Sequence, residues 1–374
     1  MVSIPVPLRE SRDASYDILI ERGLLDRLPA LLAERCPAAA YAVISDSQVA
    51  KLYGERVTAT LRAAGLPAEL FTFPAGEWNK TRDSWTALCD RMLAAHIGRD
   101  GAVLAVGGGV TGDLAGFVAA TYHRGIPWVQ VPTTLLAMID SSIGGKTGVD
   151  TPQGKNLLGA FHQPRLVAAD PDVLATLAAP QLAAGMAEAI KHAVIADAEY
   201  FAMLERCPVP VTGGGDPAAV ERVVARSVEI KAKIVTADER EAGARAALNF
   251  GHTIGHALEA TSGYALLHGE AVAIGMVVEA RLAEAMGVAE QGTARRIAAA
   301  LERHGLPVAI SEAADVAALL DAMRHDKKVR GGALRFALPS RVGALGPSTE
   351  GEWTVAVSDA RLRHTLQGER ELAR

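Results

Sequence analysis

Two groups of residues in this sequence have the types and spacing to do chemistry. The first opens with Gly107-Gly108-Gly109-Val110-Thr111-Gly112-Asp113. It continues through Pro132-Thr133-Thr134 and Asp140-Ser141-Ser142-Ile143-Gly144-Gly145-Lys146-Thr147-Gly148 to Gly154-Lys155-Asn156. Glycines let a backbone approach a ligand closely, and their N–H groups, with a helix N-terminus, form an anion site. Lys146, Lys155 and Arg124 add positive charge to the same segment. The chemistry implied is retention of a phosphate-rich ligand above strand ends. Gly107, Gly109 and Gly112 also fit G-x-G-x-x-G, a pattern that ordinary Gly-rich turns match as well.

The second group lies in the C-terminal half. If Leu248–Ala260 is a helix turning ~100° per residue, Asn249, His252, His256 and Glu259 share one narrow face. Phe250, Ile254, Ala257 and Leu258 take the opposite face. Two histidines at i, i+4 can reach one metal ion, and His268 follows in His268-Gly269-Glu270; a solvated polar face has the same pattern. On Gln181–Glu205, Glu188, Lys191 and His192 share one side. Alone they read as a surface ion pair; Glu188 gains weight as the carboxylate partner of two histidines, since zinc takes such N and O ligands. Lys231 sits among Val224, Ser227, Ile230 and Val235 on Ala218–Val235. Lysine is rarely buried without a partner, so Lys231 either points into an anion pocket or snorkels past the helix edge. Arg245 has the planar fork suited to a carboxylate or phosphate.

These side chains need positioning by two kinds of scaffold. Apolar runs at Tyr16–Ile20, Ala40–Ile44, Glu69–Phe73, Ala102–Val106 and Trp128–Val131 read as strands, separated by helices at Leu24–Glu34, Val49–Ala64 and Arg82–Ala95. Such alternation to about residue 175 predicts a parallel, doubly wound α/β sheet with ligands at its strand ends. Ser3–Leu8 also reads as a strand that could pair with Tyr16–Ile20 as a ribbon. From Ala178 to about Arg324 the pattern is helical, with runs at Gln181–Glu205, Ala218–Val235, Leu248–Ala260, Glu270–Ala285 and Thr293–His304 and breaks at Cys207–Asp216 and Ser262–Leu267. A late strand falls at Leu334–Leu338, and the last ~25 residues carry no readable function.

Composition narrows the class. The chain has 374 residues, long enough for two domains, with 49% hydrophobic and 22% charged residues, as in soluble globular proteins. A formal charge of −5 argues against general nucleic-acid binding and assigns the clustered lysines to a small anion. Cys36, Cys89 and Cys207 are scattered, which argues for a reducing compartment and against a disulfide framework or thiolate metal site. Met1–Asp13 has charges and prolines where a secretory signal needs an apolar core, and no apolar run nears the ~18 residues of a membrane span. A cytoplasmic protein is expected.

The glycine and lysine motifs above, with Tyr122-His123-Arg124-Gly125-Ile126, Pro132-Thr133-Thr134-Leu135-Leu136-Ala137, Ala187-Glu188-Ala189-Ile190-Lys191, Leu248-Asn249-Phe250-Gly251-His252, His256, His268-Gly269-Glu270 and Asp326-Lys327-Lys328, resemble 3-dehydroquinate synthase. Order and spacing match from about Asp46 to Phe336. The resemblance implies a Rossmann-like NAD-binding α/β domain over residues 1–177 and an all-α metal- and substrate-binding domain over 178–374, paired as a homodimer. It implies conversion of 3-deoxy-D-arabino-heptulosonate 7-phosphate to 3-dehydroquinate and phosphate, the second step of the shikimate pathway, with catalytic NAD and zinc or cobalt. Glu188, His252 and His268 become the metal ligands, and His256 a substrate-phosphate or proton-transfer residue. Asp140, Lys146, Asn156, Lys191, Lys231, Arg245, Asn249 and Lys327 line the substrate pocket, and Arg124 reaches the partner subunit's site. Asp46, Glu77, Lys80, Gly108, Gly109, Asp113, Thr133, Thr134 and Lys155, with Lys146, match cofactor-contacting positions.

Asp150 departs from the family's usual asparagine, and Ala178-Ala179-Pro180-Gln181 from its usual approach to the metal helix; both bear on local packing. A related sugar phosphate cyclase of the 2-deoxy-scyllo-inosose or 2-epi-5-epi-valiolone type is the main alternative. A metal-dependent polyol dehydrogenase would lack the lysine cluster, and a non-catalytic cofactor sensor need not keep Glu188, His252 and His268 together.

Overall fold

The computed structural model describes residues 13–206, 217–241, 243–263, 265–325, 329–330, 333–346 and 353–372. Its first half is built on β1 (Asp17–Ile20), β2 (Tyr41–Asp46), β3 (Ala68–Phe73), β4 (Ala102–Gly107), β5 (Trp128–Pro132), β6 (Lys146–Thr151), β7 (Gly154–Phe161) and β8 (Leu166–Ala169). A parallel sheet of six strands has the order β1-β8-β5-β4-β2-β3. β4, β5 and β8 are buried along their whole length, the near-continuous apolar pattern of a sheet covered on both faces. Helices α1 (Leu24–Arg35), α2 (Ser47–Val49), α3 (Glu55–Ala63), α4 (Arg82–Ala94) and α5 (Gly109–Thr121) provide the cover. Val43 and Leu104 face α1 and α3, whereas Ile44, Val103 and Ala105 face α4 and α5. The sheet is therefore doubly wound. From β2 the chain proceeds outward to β3, and from β4 in the opposite direction to β5. This switch opens a crevice at the carboxyl ends of β2 and β4, next to Asp46 and Gly107.

The helical half comprises α6 (Ala179–Ala196), α7 (Ala198–Arg206), α8 (Pro217–Ala237), α9 (His252–Thr261), α10 (His268–Ala285), α11 (Thr293–Arg303) and α12 (Val316–His325). α6 is alanine-rich and buried on nearly every side. One apolar cluster runs from the sheet through Met186 and Ile190 of α6 to Val224 of α8 and Met276 of α10, so the two halves share a core. A second cluster joins Ile254, Ile274 and Leu319 to a closing helix, α13 (Asp359–Leu372), through Leu362 and Leu366. That packing gives the unread tail a structural role. No helix among the described residues is long and apolar enough to cross a membrane.

Several elements differ from the sequence expectation. The Tyr16–Ile20 run pairs in parallel with β8 at the edge of the described sheet, and Ser3–Leu8, its expected ribbon partner, lies outside the described residues. Gln181–Glu205 is two helices, because Asp197 leaves helical geometry and accepts hydrogen bonds from the Glu199 and Tyr200 N–H groups, capping α7. Leu248–Ala260 is likewise broken. Ala244–Asn249 is a 3-10 turn, and Gly251, at φ 80°, sets the start of α9 at His252. A Cβ on Gly251 would lie 2.6 Å from Met276 and 2.9 Å from the Val272 carbonyl, so glycine is needed for conformation and space alike. β6 and β7 form an antiparallel hairpin where the sequence showed only glycine and lysine motifs. The late strand is present at Ala333–Phe336, and the break at Cys207–Asp216 lies outside the described residues.

Candidate active site

The crevice is made mainly of backbone. α5 starts at Gly109 with no side-chain cap on its N–H groups, the situation that attracts an anion. A Cβ on Gly108 would sit 3.0 Å from the Thr134 methyl, and one on Gly109 3.0 Å from Ser141 Oγ. The loop thus lies flush against two hydroxyl-bearing segments. Thr133 Oγ1, Ser141 Oγ and Ser142 Oγ are buried there without hydrogen-bond partners, and buried polar atoms normally have one. Asp46 caps α2 through the Gln48 and Val49 N–H groups and accepts from Thr111 Oγ1 at 3.4 Å. Lys80 is buried with Glu77 at 2.8 Å, Asp113 at 3.2 Å and Asp150 at 3.6 Å. Burial is the main reason the Asp113 carboxyl rises to about 6, against the pull of Lys80. Asp150 therefore gives Lys80 a third carboxylate, and its Oδ1 also accepts from the Asn156 N–H at 2.8 Å. The Ala178–Gln181 departure is compatible with the start of the metal helix, since Pro180 lies in the first turn of α6.

Beside the crevice, α6, α9 and α10 converge on a second group. The helices approach through small residues: a Cβ on Gly269 would fall 2.2 Å from the Ala184 carbonyl, and one on Gly275 2.0 Å from the Gly251 carbonyl. Glu188 is 0% exposed and Lys191 1%, so the surface reading of this face is wrong. Glu188 Oε1 lies 3.4 Å from His252 Nε2 and 3.4 Å from His268 Nε2, and Oε2 pairs with Lys191. The donor atoms of Glu188, His252 and His268 lie within 4.8 Å of one another. Neither Glu188 oxygen makes a well-directed hydrogen bond. A buried carboxylate with one oxygen facing two imidazole nitrogens fits a divalent ion. Burial would raise the Glu188 pKa, but Lys191 and then His252 hold it well below the usual range. Burial, then Lys191, depresses His252 to about 3, leaving the neutral imidazole that ligation requires. Burial opposes a charge on His268, yet hydrogen bonds to Glu188 and Glu259 raise its pKa to about 10. A divalent ion there would displace a proton.

The expected anion-binding residues gather next to this triad. Lys231, 6% exposed, is no snorkelling residue: its Nζ lies 2.7 Å from Asp140 Oδ1 and donates to the Asp140 carbonyl at 2.7 Å. Lys191 stands 3.9 Å and His192 3.4 Å from the same Oδ1. Burial alone would raise the Asp140 pKa; Lys231 and Lys191 outweigh it and keep the group ionised. Arg245 is buried against Gly144, where a Cβ would fall 2.3 Å from the guanidinium, and donates to the Glu239 carbonyl at 2.5 Å. His256 is half-buried, its ring 5.3 Å from that of His252. Asn249 lies on the turn before α9, not on its face, and donates to Glu241 Oε1 at 3.0 Å. Lys146, half exposed, pairs with the same carboxylate.

Some expected residues stand apart. Asn156 is exposed, at φ 54° on the hairpin, and bonds to Asp150 instead of the central cluster. Arg124 is exposed at φ 70°, after His123 at φ 50°. Lys327, with Asp326 and Lys328, lies outside the described residues. Two further residues escaped sequence reasoning. Glu241, at the end of the acidic run Asp238-Glu239-Arg240-Glu241, joins Lys146 to Asn249. Glu279, fully buried on α10, accepts the Gly251 N–H at 2.7 Å and the Ile254 N–H at 3.2 Å, capping the helix that carries His252. An acid inside the apolar run Ile274–Ala280 was the signal, the same one that marked Lys231.

Comparison with known proteins gives the family. The family model for the 3-dehydroquinate synthase N-terminal part matches residues 70–184 and that for the C-terminal part residues 185–329. The 3-dehydroquinate synthase of Symbiobacterium thermophilum is 50% identical over 338 residues, covering 90% of this chain and 94% of its own. That of Caulobacter vibrioides is 48% identical over 351 residues, covering 91% and 93%. Among solved structures, 2-epi-5-epi-valiolone synthase from Streptomyces hygroscopicus, with NAD+ and Zn2+ bound, superposes with a TM-score of 0.87 at 31% identity, covering 98% of this chain and 100% of its own. A 2-deoxy-scyllo-inosose synthase complexed with carbaglucose-6-phosphate, NAD+ and Co2+ gives 0.85 at 28% identity, covering 95% and 97%. A probable glycerol dehydrogenase from Sinorhizobium meliloti, at 17% identity and a TM-score of 0.67 with 95% and 97% covered, shares the fold alone. With both of its halves matched, this chain belongs to the 3-dehydroquinate synthase family.

Proposed function

We propose that this protein converts 3-deoxy-D-arabino-heptulosonate 7-phosphate to 3-dehydroquinate and phosphate, as a carbon–oxygen lyase acting with catalytic NAD and one zinc or cobalt ion. The observation that carries this reading is the convergence of Asp140, Glu188, Lys191, Lys231, His252 and His268 at one buried place beside the β2–β4 crevice. In it, Glu188, His252 and His268 hold the ion, while Gly108, Gly109, Thr133 and Thr134, with Asp46, Glu77, Lys80, Asp113, Lys146 and Lys155, form the dinucleotide's surroundings. When bound, the ion supplies Lewis-acid polarisation of a substrate hydroxyl and the dinucleotide a hydride acceptor restored within each cycle. The chain's own residues bind and orient. Lys191, Lys231, Arg245 and Lys146, with Asn249, Asn156 and Lys327, pair with the substrate's carboxylate and phosphate, and fixed cations of this kind act through position and electrostatics. Asp140 keeps Lys231 and Lys191 aimed at one point. His256, its ring 5.3 Å from that of His252, binds the substrate phosphate or transfers a proton.

Residues 1–177 form the dinucleotide-binding domain and 178–374 the metal and substrate domain, with a shared apolar cluster between them. The chain acts in the cytoplasm as a homodimer in which Arg124 reaches the partner's site. Two successive non-glycine residues with left-handed backbone, His123 and Arg124, support that role, because such strain concentrates where a side chain must be aimed. Identity of 50% to a 3-dehydroquinate synthase, against 28% and 31% to the other cyclases, favours this substrate over theirs. Incubation with the heptulosonate phosphate, NAD and zinc tests the reading. Phosphate and 3-dehydroquinate should form in equal amounts with no net NADH; NADH accumulating with product would mark a dehydrogenase.

A further inference from the structure

Glu259 shares a face with His252 and His256, yet nothing in the proposed chemistry uses it. It is 4% exposed, on the last turns of α9, where an ionised carboxylate requires partners. It has two. Glu259 Oε2 lies 3.4 Å from His268 Nδ1, and Oε1 accepts from Lys155 Nζ at 3.2 Å. The His268 ring is thereby spanned: its Nε2 faces Glu188 at 3.4 Å while its Nδ1 faces Glu259. The two nitrogens of an imidazole point in divergent directions, so a carboxylate on one fixes which tautomer the other presents. Lys155 extends the contact. It sits on β7, and its Nζ also comes within 3.8 Å of Glu77, which holds Lys80 at 2.8 Å.

We propose that Glu259 is a positioning residue that places the proton of His268 on Nδ1, presents Nε2 to the metal, and is itself held by Lys155 from the hairpin. A competing arrangement is available, since His256, Glu259 and His268 also lie close enough to share an ion through His268 Nδ1. The geometry favours the positioning role: Glu188 Oε1 faces both His252 Nε2 and His268 Nε2 at 3.4 Å, whereas Glu259 divides its oxygens between His268 Nδ1 and the Lys155 ammonium. No charge or proton moves in this role; it sets orientation. The inference rests on the reading of Glu188, His252 and His268 as ligands.

The test measures zinc affinity by chelator competition on the purified full-length protein, wild type against Glu259→Gln and Glu259→Leu, with melting temperatures to confirm folding. Gln keeps an acceptor for Nδ1–H and Leu removes it. Glu259→Gln should bind zinc about 10-fold and Glu259→Leu about 100-fold more weakly, the span found when a ligand's supporting partner is lost. In zinc-loaded protein labelled with 15N-histidine, the wild type should show an exchange-protected Nδ1–H for His268. Glu259→Gln should retain it and Glu259→Leu should lose it, a signature that general destabilisation would not produce. One zinc per wild-type chain with unchanged affinity in both variants would overturn the positioning role alone. Zinc binding that survives His252→Ala but disappears in Glu259→Gln would make Glu259 a ligand and overturn both readings.

Discussion

The crevice above the sheet and the cluster between the helices are built from different material. The crevice is mostly backbone and hydroxyl, and its buried cation, Lys80, is matched by Glu77, Asp113 and Asp150. The helical cluster consists of charged side chains drawn from separate segments. Both oxygens of Glu188, Oδ1 of Asp140 and both ring nitrogens of His192 are buried without well-directed hydrogen bonds. Ion pairs in such a place recover only part of the cost of leaving water. The buried charge of the crevice is thus balanced before ligands arrive, with only its hydroxyls left open, whereas the helical cluster also leaves buried charged groups for ligands to satisfy. The glycine contacts at Gly251, Gly269 and Gly275 and the Glu279 cap are the rigid frame that holds the incomplete region together.

That contrast breaks most sharply at the metal triad. His252→Ala should abolish binding of the ion and lower turnover about a thousandfold or more, the scale of several kcal/mol of lost Lewis-acid stabilisation. NAD affinity, followed by tryptophan fluorescence, should stay near the wild-type value, because the crevice is built from the sheet and α5 and its buried Lys80 is balanced by Glu77, Asp113 and Asp150. A comparable loss of NAD affinity would mean that the two regions are one unit.

Lys231 gives the next largest effect. Lys231→Met should weaken substrate binding by about 2–5 kcal/mol, the range for truncating one partner of a buried charge pair. Burial, the largest influence, and then Lys191 against Asp140, bring the Lys231 pKa down to about 8 from 10.5. In wild type kcat/KM should therefore fall above pH 8 as the ammonium is lost, and Lys231→Arg should shift that limb upward. The sign for stability follows from the same shift. Between pH 8 and 10.5 the unfolded chain retains a proton that the folded chain has released, so the stability of the fold rises with pH over that window. Lys231→Met should lack this rise of roughly 3 kcal/mol, as read from urea unfolding at successive pH values.

A frame mutation is smaller. Gly275→Ala places a methyl 2.0 Å from the Gly251 carbonyl, and overpacking of this kind costs about 1–3 kcal/mol. Urea unfolding should show that loss, with weaker zinc retention because α9 and α10 move apart. The smallest change belongs to the crevice. Asp150→Asn leaves Lys80 with Glu77 and Asp113, so stability should shift by less than about 1 kcal/mol. A larger drop would show that the crevice depends on its third carboxylate.

The same division governs what the sequence could disclose. The crevice was legible because glycine spacing and apolar strand runs are local signals, and β2, β4 and β5 lie where those runs end. In the helical half, periodicity identified Lys231 but misplaced Asn249, since the Gly251 break depends on the approach of Met276 and the Val272 carbonyl from α10. Glu188 and Lys191 looked like a surface pair, because only the sheet and the other helices bury α6. The face of Glu259 was legible but its partners were not, and Glu279 was passed over despite its place in an apolar run, because the partners of both arrive from other elements. Motif resemblance supplied the ligand roles that geometry along one helix left open.

The most direct test of the account is the position of the bound ion, located by anomalous scattering from crystals grown with zinc. The account predicts one ion per chain, about 2.0–2.2 Å from Glu188, His252 Nε2 and His268 Nε2, with Glu259 still on His268 Nδ1. An ion held instead by His256, Glu259 and His268 Nδ1 would contradict it.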